Sequence, residues 1–190
     1  MLVLASTSPY RRGLLERLRI PFEIEAPRVE ECASPGETPR QTALRLAASK
    51  ARAVGESRGR DLIIGSDQVA DLDGRPLGKP GGHDAALAQL RDMRGRVVVF
   101  HTALCVLDAA CGRCELEEVP TTVRFRRFSD AQAARYLEAD TPYDCAGSAR
   151  IESLGIALVE SVESADPSAL IGLPLIALVS MLQRAGVEIP

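Results

Sequence analysis

Arg11 and Arg12 follow Ser8-Pro9 closely, in the opening turn of a predicted helix. Cations there oppose the helix dipole, which favours anions at that end. A bound phosphate resolves the conflict, since backbone N–H groups and guanidinium forks then meet one anion. Ser6, Thr7 and Ser8 add hydroxyl donors. The competing reading leaves both arginines solvated. Lys50 is the second anomaly. It shares a helix face with Ala43, Leu46, Ala47 and Val54, an apolar stripe in which a lysine either snorkels outward or meets a buried anion. Asp67 is the third. It follows the apolar run Leu62–Gly65, and the ends of buried strands in α/β sheets are where ligand crevices form. Asp67 there can ligate a divalent cation, act as a base, or simply cap a turn.

Other candidates are weaker. Glu30 and Glu31 sit in a polar loop and read as solvated. Gly78-Lys79-Pro80 is not a Walker loop, because Gly74 stands one residue too close and Pro80 replaces the Ser/Thr. Lys79, held between Gly and Pro, still suits a phosphate. His101 lies in the apolar run Val97–Leu107 and reads as a core histidine; His83 reads as exposed at a helix start. Neither completes a Ser-His-Asp or metal-ligand spacing, which argues against serine-hydrolase chemistry.

These residues need elements to hold them. Leu2–Ala5 reads as a strand, and Ser8-Pro9 opens a helix that Pro21 ends. Phe22–Glu25 reads as a second strand. Thr38-Pro39-Arg40-Gln41 is a capping box opening a helix to about Val54. Leu62–Gly65 is a short buried strand, and Asp73-Gly74 a hairpin turn. A helix over Asp84–Met93 precedes two long strands, Val97–Leu107 and Glu117–Phe125, joined around Cys111. Ser129 caps a helix to about Glu138; Ile156–Val162 reads as a strand and Leu173–Arg184 as a closing helix stopped by Gly186. Strands and helices intermingle, which predicts an α/β fold with a mixed sheet flanked by helices.

Composition bounds the function. A chain of 190 residues fits a single domain, residues 1–190, with two lobes around a cleft. Net charge of -3 and sparse aromatics, 4% with no Trp, argue against nucleic acid as a partner. No apolar run approaches the ~18 residues of a membrane span, and the start lacks a signal-like basic region. The odd number of cysteines reads as reduced cytoplasmic thiols. Cys111-Gly-Arg-Cys114 lacks the second pair a zinc ribbon needs. The residues alone suggest a phosphate-bearing small molecule with a divalent cation, and no more.

The ordered set of segments adds the reaction. Leu4-Ala-Ser-Thr-Ser-Pro-Tyr-Arg-Arg-Gly-Leu-Leu15, Val29-Glu30-Glu31, the helix bearing Lys50, and Ile64-Gly65-Ser66-Asp67-Gln68 together resemble the Maf family of nucleotide pyrophosphatases. Gly78-Lys79-Pro80, His101-Thr102, Ala146-Gly147-Ser148 and Gly172-Leu173-Pro174-Leu175 extend the likeness from residue 2 to about residue 185. The resemblance implies a Maf/ITPase-like cleft, hydrolysis of a nucleoside triphosphate to monophosphate and pyrophosphate, a need for Mg²⁺ or Mn²⁺, and a homodimer. Carried across, it places Ser6, Ser8, Arg11, Glu31, Lys50, Asp67 and Lys79 in the site, with Asp67 as proton acceptor and Glu31 and Asp67 on the metal. Arg12 is a further phosphate candidate from the helix start.

Tyr10, Gln68 and Glu152 are similar to the branch of the family that prefers 7-methyl-GTP, where the first position is aromatic and the others are Gln and Glu. The dTTP- and UTP-preferring branch usually has Arg, Thr and Gln there. Tyr10 departs from the Trp expected in the first branch. A dTTP/UTP pyrophosphatase, a non-catalytic nucleotide-binding regulator of septum formation or cell division, and a binding module for another phosphorylated metabolite remain the alternatives.

Overall fold

The structure, a computed structural model, describes residues 1–189. Its strands are β1 (Leu2–Ala5), β2 (Glu23–Glu25), β3 (Leu62–Leu72), β4 (Arg75–Leu77), β5 (Val97–Asp108), β6 (Arg113–Phe125) and β7 (Val159–Ser164). Its helices are α1 (Pro9–Leu15), α2 (Pro39–Gly55), α3 (His83–Met93), α4 (Asp130–Asp140) and α5 (Leu175–Arg184). The strands make one mixed sheet in the order β2-β1-β3-β5-β6-β7, with β4 hairpinned onto β3. β1 runs parallel to β2 and β3, and every other pairing is antiparallel. The expected mixed α/β architecture is therefore the one observed.

Caps account for the helix starts. Thr38 and Ser129 each accept from the backbone three residues on, while Gln41 and Gln132 return a side-chain oxygen to the cap backbone. Ser8 caps α1, with Pro9 at its first position. Boundaries differ where tertiary pairing decides them. α1 stops at Leu15, continues as a 3₁₀ turn to Leu18 and ends on left-handed Arg19, before Pro21 is reached. The expected strand at Ile156–Val162 starts only at Val159, because Leu154–Leu158 is a 3₁₀ turn. Most consequential is β3, which is 11 residues long. It continues past Gly65 because β5 pairs with it from Leu62 to Asp71. Asp67 therefore lies within the strand, opposite Ala103, and not beyond its end.

Three apolar clusters hold the sheet. One lies between α2 and the sheet, around Val3, Ala47, Ala51, Ile63 and Cys105. A second, on α1 and α5, gathers Leu4, Leu14, Leu15, Ile64, Leu104 and Leu178. The third takes the distal ends of β3, β5 and β6 with α3 and α4, around Leu72, Leu90, Phe100, Phe125 and Leu137. The long strands thus pass from one lobe into the other.

Gly65 sets how closely α2 approaches. A Cβ there would stand 2.2 Å from the Ala47 carbonyl oxygen and 2.8 Å from the Ala51 nitrogen, both helix backbone. Helix backbone cannot yield as a flexible side chain does, so Gly65→Ala must push α2 off β3. The expected loss is about 1–3 kcal/mol in a denaturant melt, as for other overpacked cores. Because α2 carries Lys50 and β3 carries Asp67, activity should fall with it; a variant with unchanged midpoint would contradict this packing.

Candidate active site

The cleft between the lobes has a volume of about 610 Å³, within the range of small-molecule sites. Its lining includes Ser6, Ser8, Tyr10, Arg11, Glu31, Lys50, Asp67, Gln68, Lys79 and Glu152. The chain thus brings together every candidate site residue but Arg12.

Lys50 is the centre. Its residue is 3% exposed, and its Nζ lies 2.6 Å from Asp67 Oδ1 and 2.6 Å from Glu31 Oε1. Of the two fates open to a lysine in an apolar stripe, it takes the buried anion. α2 positions it because Ala43, Ala47 and Ala51 are small enough to let the helix lie on β3 and β5. Burial alone would raise the Glu31 carboxyl, but the Lys50 hydrogen bond and the Lys50, Lys79 and Arg11 charges outweigh it and hold the pKa below the ordinary value. Glu31, expected to be solvated from its loop, keeps an exposed side chain and still reaches the buried ammonium. Asp67 Oδ2 and Glu31 Oε2 engage in no hydrogen bond or ion pair among the described residues.

The β1–α1 connection supplies the next groups. Ser6 Oγ accepts from Ser8 N at 3.1 Å and Ser8 Oγ from Arg11 N at 3.4 Å, which folds the turn tightly. Arg11 turns inward, donating from Nε to the Gly172 carbonyl at 2.9 Å. Its burial lowers the guanidinium pKa, opposed by the Asp67 and Glu31 charges. Arg12 does the opposite: it pairs with Glu16 one turn on, at 2.8 Å, outside the cleft lining. Of the two arginines expected to face one anion, only Arg11 therefore lines the cleft. α1 has only 7 residues, so the guanidinium and not the helix dipole supplies most of the positive field. Lys79 stands exposed at the mouth, with no ion-pair partner among the described residues.

Gln68 is oriented by its surroundings. Its Nε2 lies 2.9 Å from Thr102 Oγ1 and 3.0 Å from both the Ala169 and Leu170 carbonyls, which fixes Oε1 as the outward acceptor. Glu152 stands at the rim, where desolvation, helped by the smaller Asp140 and Asp144 charges, outweighs a backbone hydrogen bond and the Arg150 charge and raises its pKa above the ordinary carboxylate value. Tyr10, Asp144, Cys145 and the segment Leu170–Gly172 complete this part of the lining. Asp144 and the Leu170–Gly172 carbonyls are additions to the residues expected from the sequence. Gly172, at φ 121°, needs a backbone that only glycine adopts freely, and it is the readable signal for that turn.

The remaining chemistry-bearing residues lie elsewhere. His101 is held between Glu118 at 2.9 Å and Asp71 at 3.3 Å, in cross-strand hydrogen-bonding contacts and not at an apolar core position. His83 sits at the start of α3, as expected, with Nδ1 3.3 Å from the Tyr143 hydroxyl. Cys111 is exposed in the β5–β6 turn, and Cys114 Sγ lies 3.0 Å from buried Cys105. Among the described residues no three His, Cys, Asp or Glu side chains form a metal-binding group, and no helix is long and apolar enough to cross a membrane.

The profile of Maf-like proteins matches residues 1–185, and the chain belongs to that family. It is 58% identical over 188 residues to a protein of Burkholderia thailandensis named 7-methyl-GTP pyrophosphatase, covering 97% of this chain and 87% of that one. A protein of the same name from Ralstonia nicotianae is 59% identical over 183 residues, covering 96% of this chain and 94% of its own. The solved structure of the Staphylococcus aureus Ham1 protein overlaps 66% of this chain and 72% of its own at 14% identity, with a TM-score of 0.48.

Proposed function

We propose that the chain hydrolyses a nucleoside triphosphate, 7-methyl-GTP, to the monophosphate and pyrophosphate. One observation carries the reading: a buried lysine clamps two carboxylates in a cleft that Arg11 and Lys79 also line. Attack of water on the α-phosphorus expels pyrophosphate, so a base is needed on one side and cations on the other. Asp67 orients and deprotonates the water, held in place by Lys50. Arg11 and Lys79 meet the triphosphate, and their charge counts most as negative charge grows on the departing pyrophosphate. Ser6 and Ser8 shape the turn beneath it.

The carboxylate pair also fits a divalent ion. Mg²⁺ commonly takes one or two carboxylates and completes its shell with water and substrate phosphate. Glu31 and Asp67, each with one oxygen clear of Lys50, are that donor set and would hold Mg²⁺ or Mn²⁺. When bound, the ion neutralises phosphate charge as a Lewis acid. The chain works as one catalytic unit, in the cytoplasm, as a homodimer, and takes a free nucleotide in preference to nucleic acid or a membrane.

Pyrophosphate release from 7-methyl-GTP, GTP, dTTP and UTP tests the reading. Preference for the methylated purine is expected. Preference for dTTP or UTP would overturn the base assignment, and no turnover at all would leave a nucleotide-binding regulator.

The base assignment rests on Glu152 and Gln68 as acceptors. Guanine offers N1–H and a 2-amino group to them, whereas uracil and thymine offer a single N–H between two carbonyls. Glu152 accepts best as the carboxylate. Its raised pKa means that acidification should begin to increase KM for guanine nucleotides above pH 4.5, the ordinary value. The sign follows directly: a raised pKa brings protonation, and loss of an acceptor, at higher pH. Glu152→Gln should remove that acidic limb and flatten the purine-over-pyrimidine ranking; an unchanged ranking would sink the assignment.

A further inference from the structure

The cleft is electrically divided. Arg11, Lys50 and Lys79 outnumber Glu31 and Asp67 at one end. Around Tyr10 the balance reverses, with Asp140, Asp144 and Glu152 set against one guanidinium, that of Arg150. Contacts tie this second group together. Tyr10 Oη donates to Asp144 Oδ2 at 3.4 Å, and Arg150 Cζ lies 5.7 Å from the centroid of the Tyr10 ring.

The two aspartates are not equivalent. Asp140 is mostly buried; it accepts from Arg150 at 3.3 Å through the carboxylate and 3.0 Å through its carbonyl, and from Ser153 Oγ at 2.8 Å. It takes up much of the Arg150 charge. Asp144 lines the cleft with its side chain 60% exposed, and its contact with Arg150 is longer, at 3.4 Å. Of the two carboxylates that share Arg150, the exposed one therefore faces the cleft.

We infer that Asp144 is a specificity-determining residue, selecting the cationic 7-methylguanine base over neutral guanine by charge. The inference rests on the base end being read correctly in the preceding section. The hydrogen bonds to Glu152 and Gln68 do not make this distinction, since N1–H and the 2-amino group are present in both bases; Glu152 adds to the negative field that Asp144 supplies. What methylation at N7 adds is a positive charge. An aromatic face attracts such a charge, but Tyr does so less strongly than Trp. Asp144 supplies at the ring's edge the attraction that the phenol lacks. Burial first, then the Cys145 and Asp144 charges, push the Tyr10 pKa up to about 12, so its hydroxyl remains a donor to Asp144.

The test is the dissociation constants of 7-methyl-GMP and GMP for wild type, Asp144→Asn and Asp144→Glu, with pyrophosphate release from the triphosphates in parallel. Wild type should prefer 7-methyl-GMP. Asp144→Asn should reduce that preference about tenfold, through weaker 7-methyl-GMP binding with GMP unaffected, as expected for one partly exposed charge pair. Asp144→Glu should retain most of it, and added salt should erode it in wild type and Asp144→Glu but far less in Asp144→Asn. An unchanged ratio in Asp144→Asn, or equal loss for both ligands, would overturn the inference. Preferential binding without pyrophosphate release would remove the proposed reaction and leave the role of Asp144 standing.

Discussion

Lys50→Met is expected to lower kcat by about two to three orders of magnitude, the usual cost of removing a preorganised charge that acts on a transition state. The ammonium bridges Asp67 and Glu31, and no other cation of the chain forms an ion pair with either carboxylate among the described residues. Methionine fills the space beneath α2 but leaves two carboxylates facing each other, one of them buried. Removal of one partner of a buried pair costs about 3–5 kcal/mol; because the Glu31 side chain is 52% exposed, the loss here should fall at or below the lower end. Lys50→Arg separates charge from shape. A planar guanidinium is bulkier than the ammonium it replaces at this buried position and cannot reproduce its point-charge geometry, so the variant should fold less stably and recover little rate. Steady-state kinetics and a denaturant melt read both quantities. A Lys50→Met variant with near-normal turnover would leave the lysine a structural tie alone.

Asp67→Asn should be the cleaner lesion. The amide keeps the size of the carboxylate and can still meet Lys50 Nζ through its oxygen, while Lys50 retains Glu31 at 2.6 Å. Stability should change little. An amide neither accepts a proton from water nor contributes negative charge to a metal, so kcat should fall by about two to four orders of magnitude. KM should move far less, because Arg11, Lys79 and the base-end residues are untouched. A proportionate rise in KM with kcat preserved would instead make Asp67 a binding group.

Much of this arrangement is legible in the order of the residues. Capping residues act over three positions of chain, so Thr38, Ser129 and Ser8 announce their helices locally. Lys50 is conspicuous because charge in an apolar stripe demands a partner. The identity of that partner is not legible, since Asp67 lies 17 residues away and Glu31 comes from an irregular loop. The extent of β3 is hidden for the same reason: β5, which prolongs it, is a non-local partner. Arg12 differs in kind, because its outward direction is written in local spacing. Arg11 precedes buried Leu14 and Leu15 by three and four positions, whereas Arg12 precedes Glu16 by four, which separates an inward from an outward arginine. Asp144 carries no such pattern, because a turn brings it to the cleft; the Leu170 and Gly172 carbonyls leave no mark of their own, and only their turn is announced, by Gly172.

The sheet also bears on how the cleft can move. β3, β5 and β6 cross from one apolar cluster to the other without a break in their ladders. Joints between lobes are ordinarily flexible loops that absorb large backbone rotations. Here the joint is a stiff leaf of hydrogen-bonded strands, and to close it further is to bend that leaf. The spacing of the groups that β3 carries into the cleft, Asp67 and Gln68, is consequently a fixed length, set when the chain folds. Along that strand the cleft measures by a ruler and not by a gate.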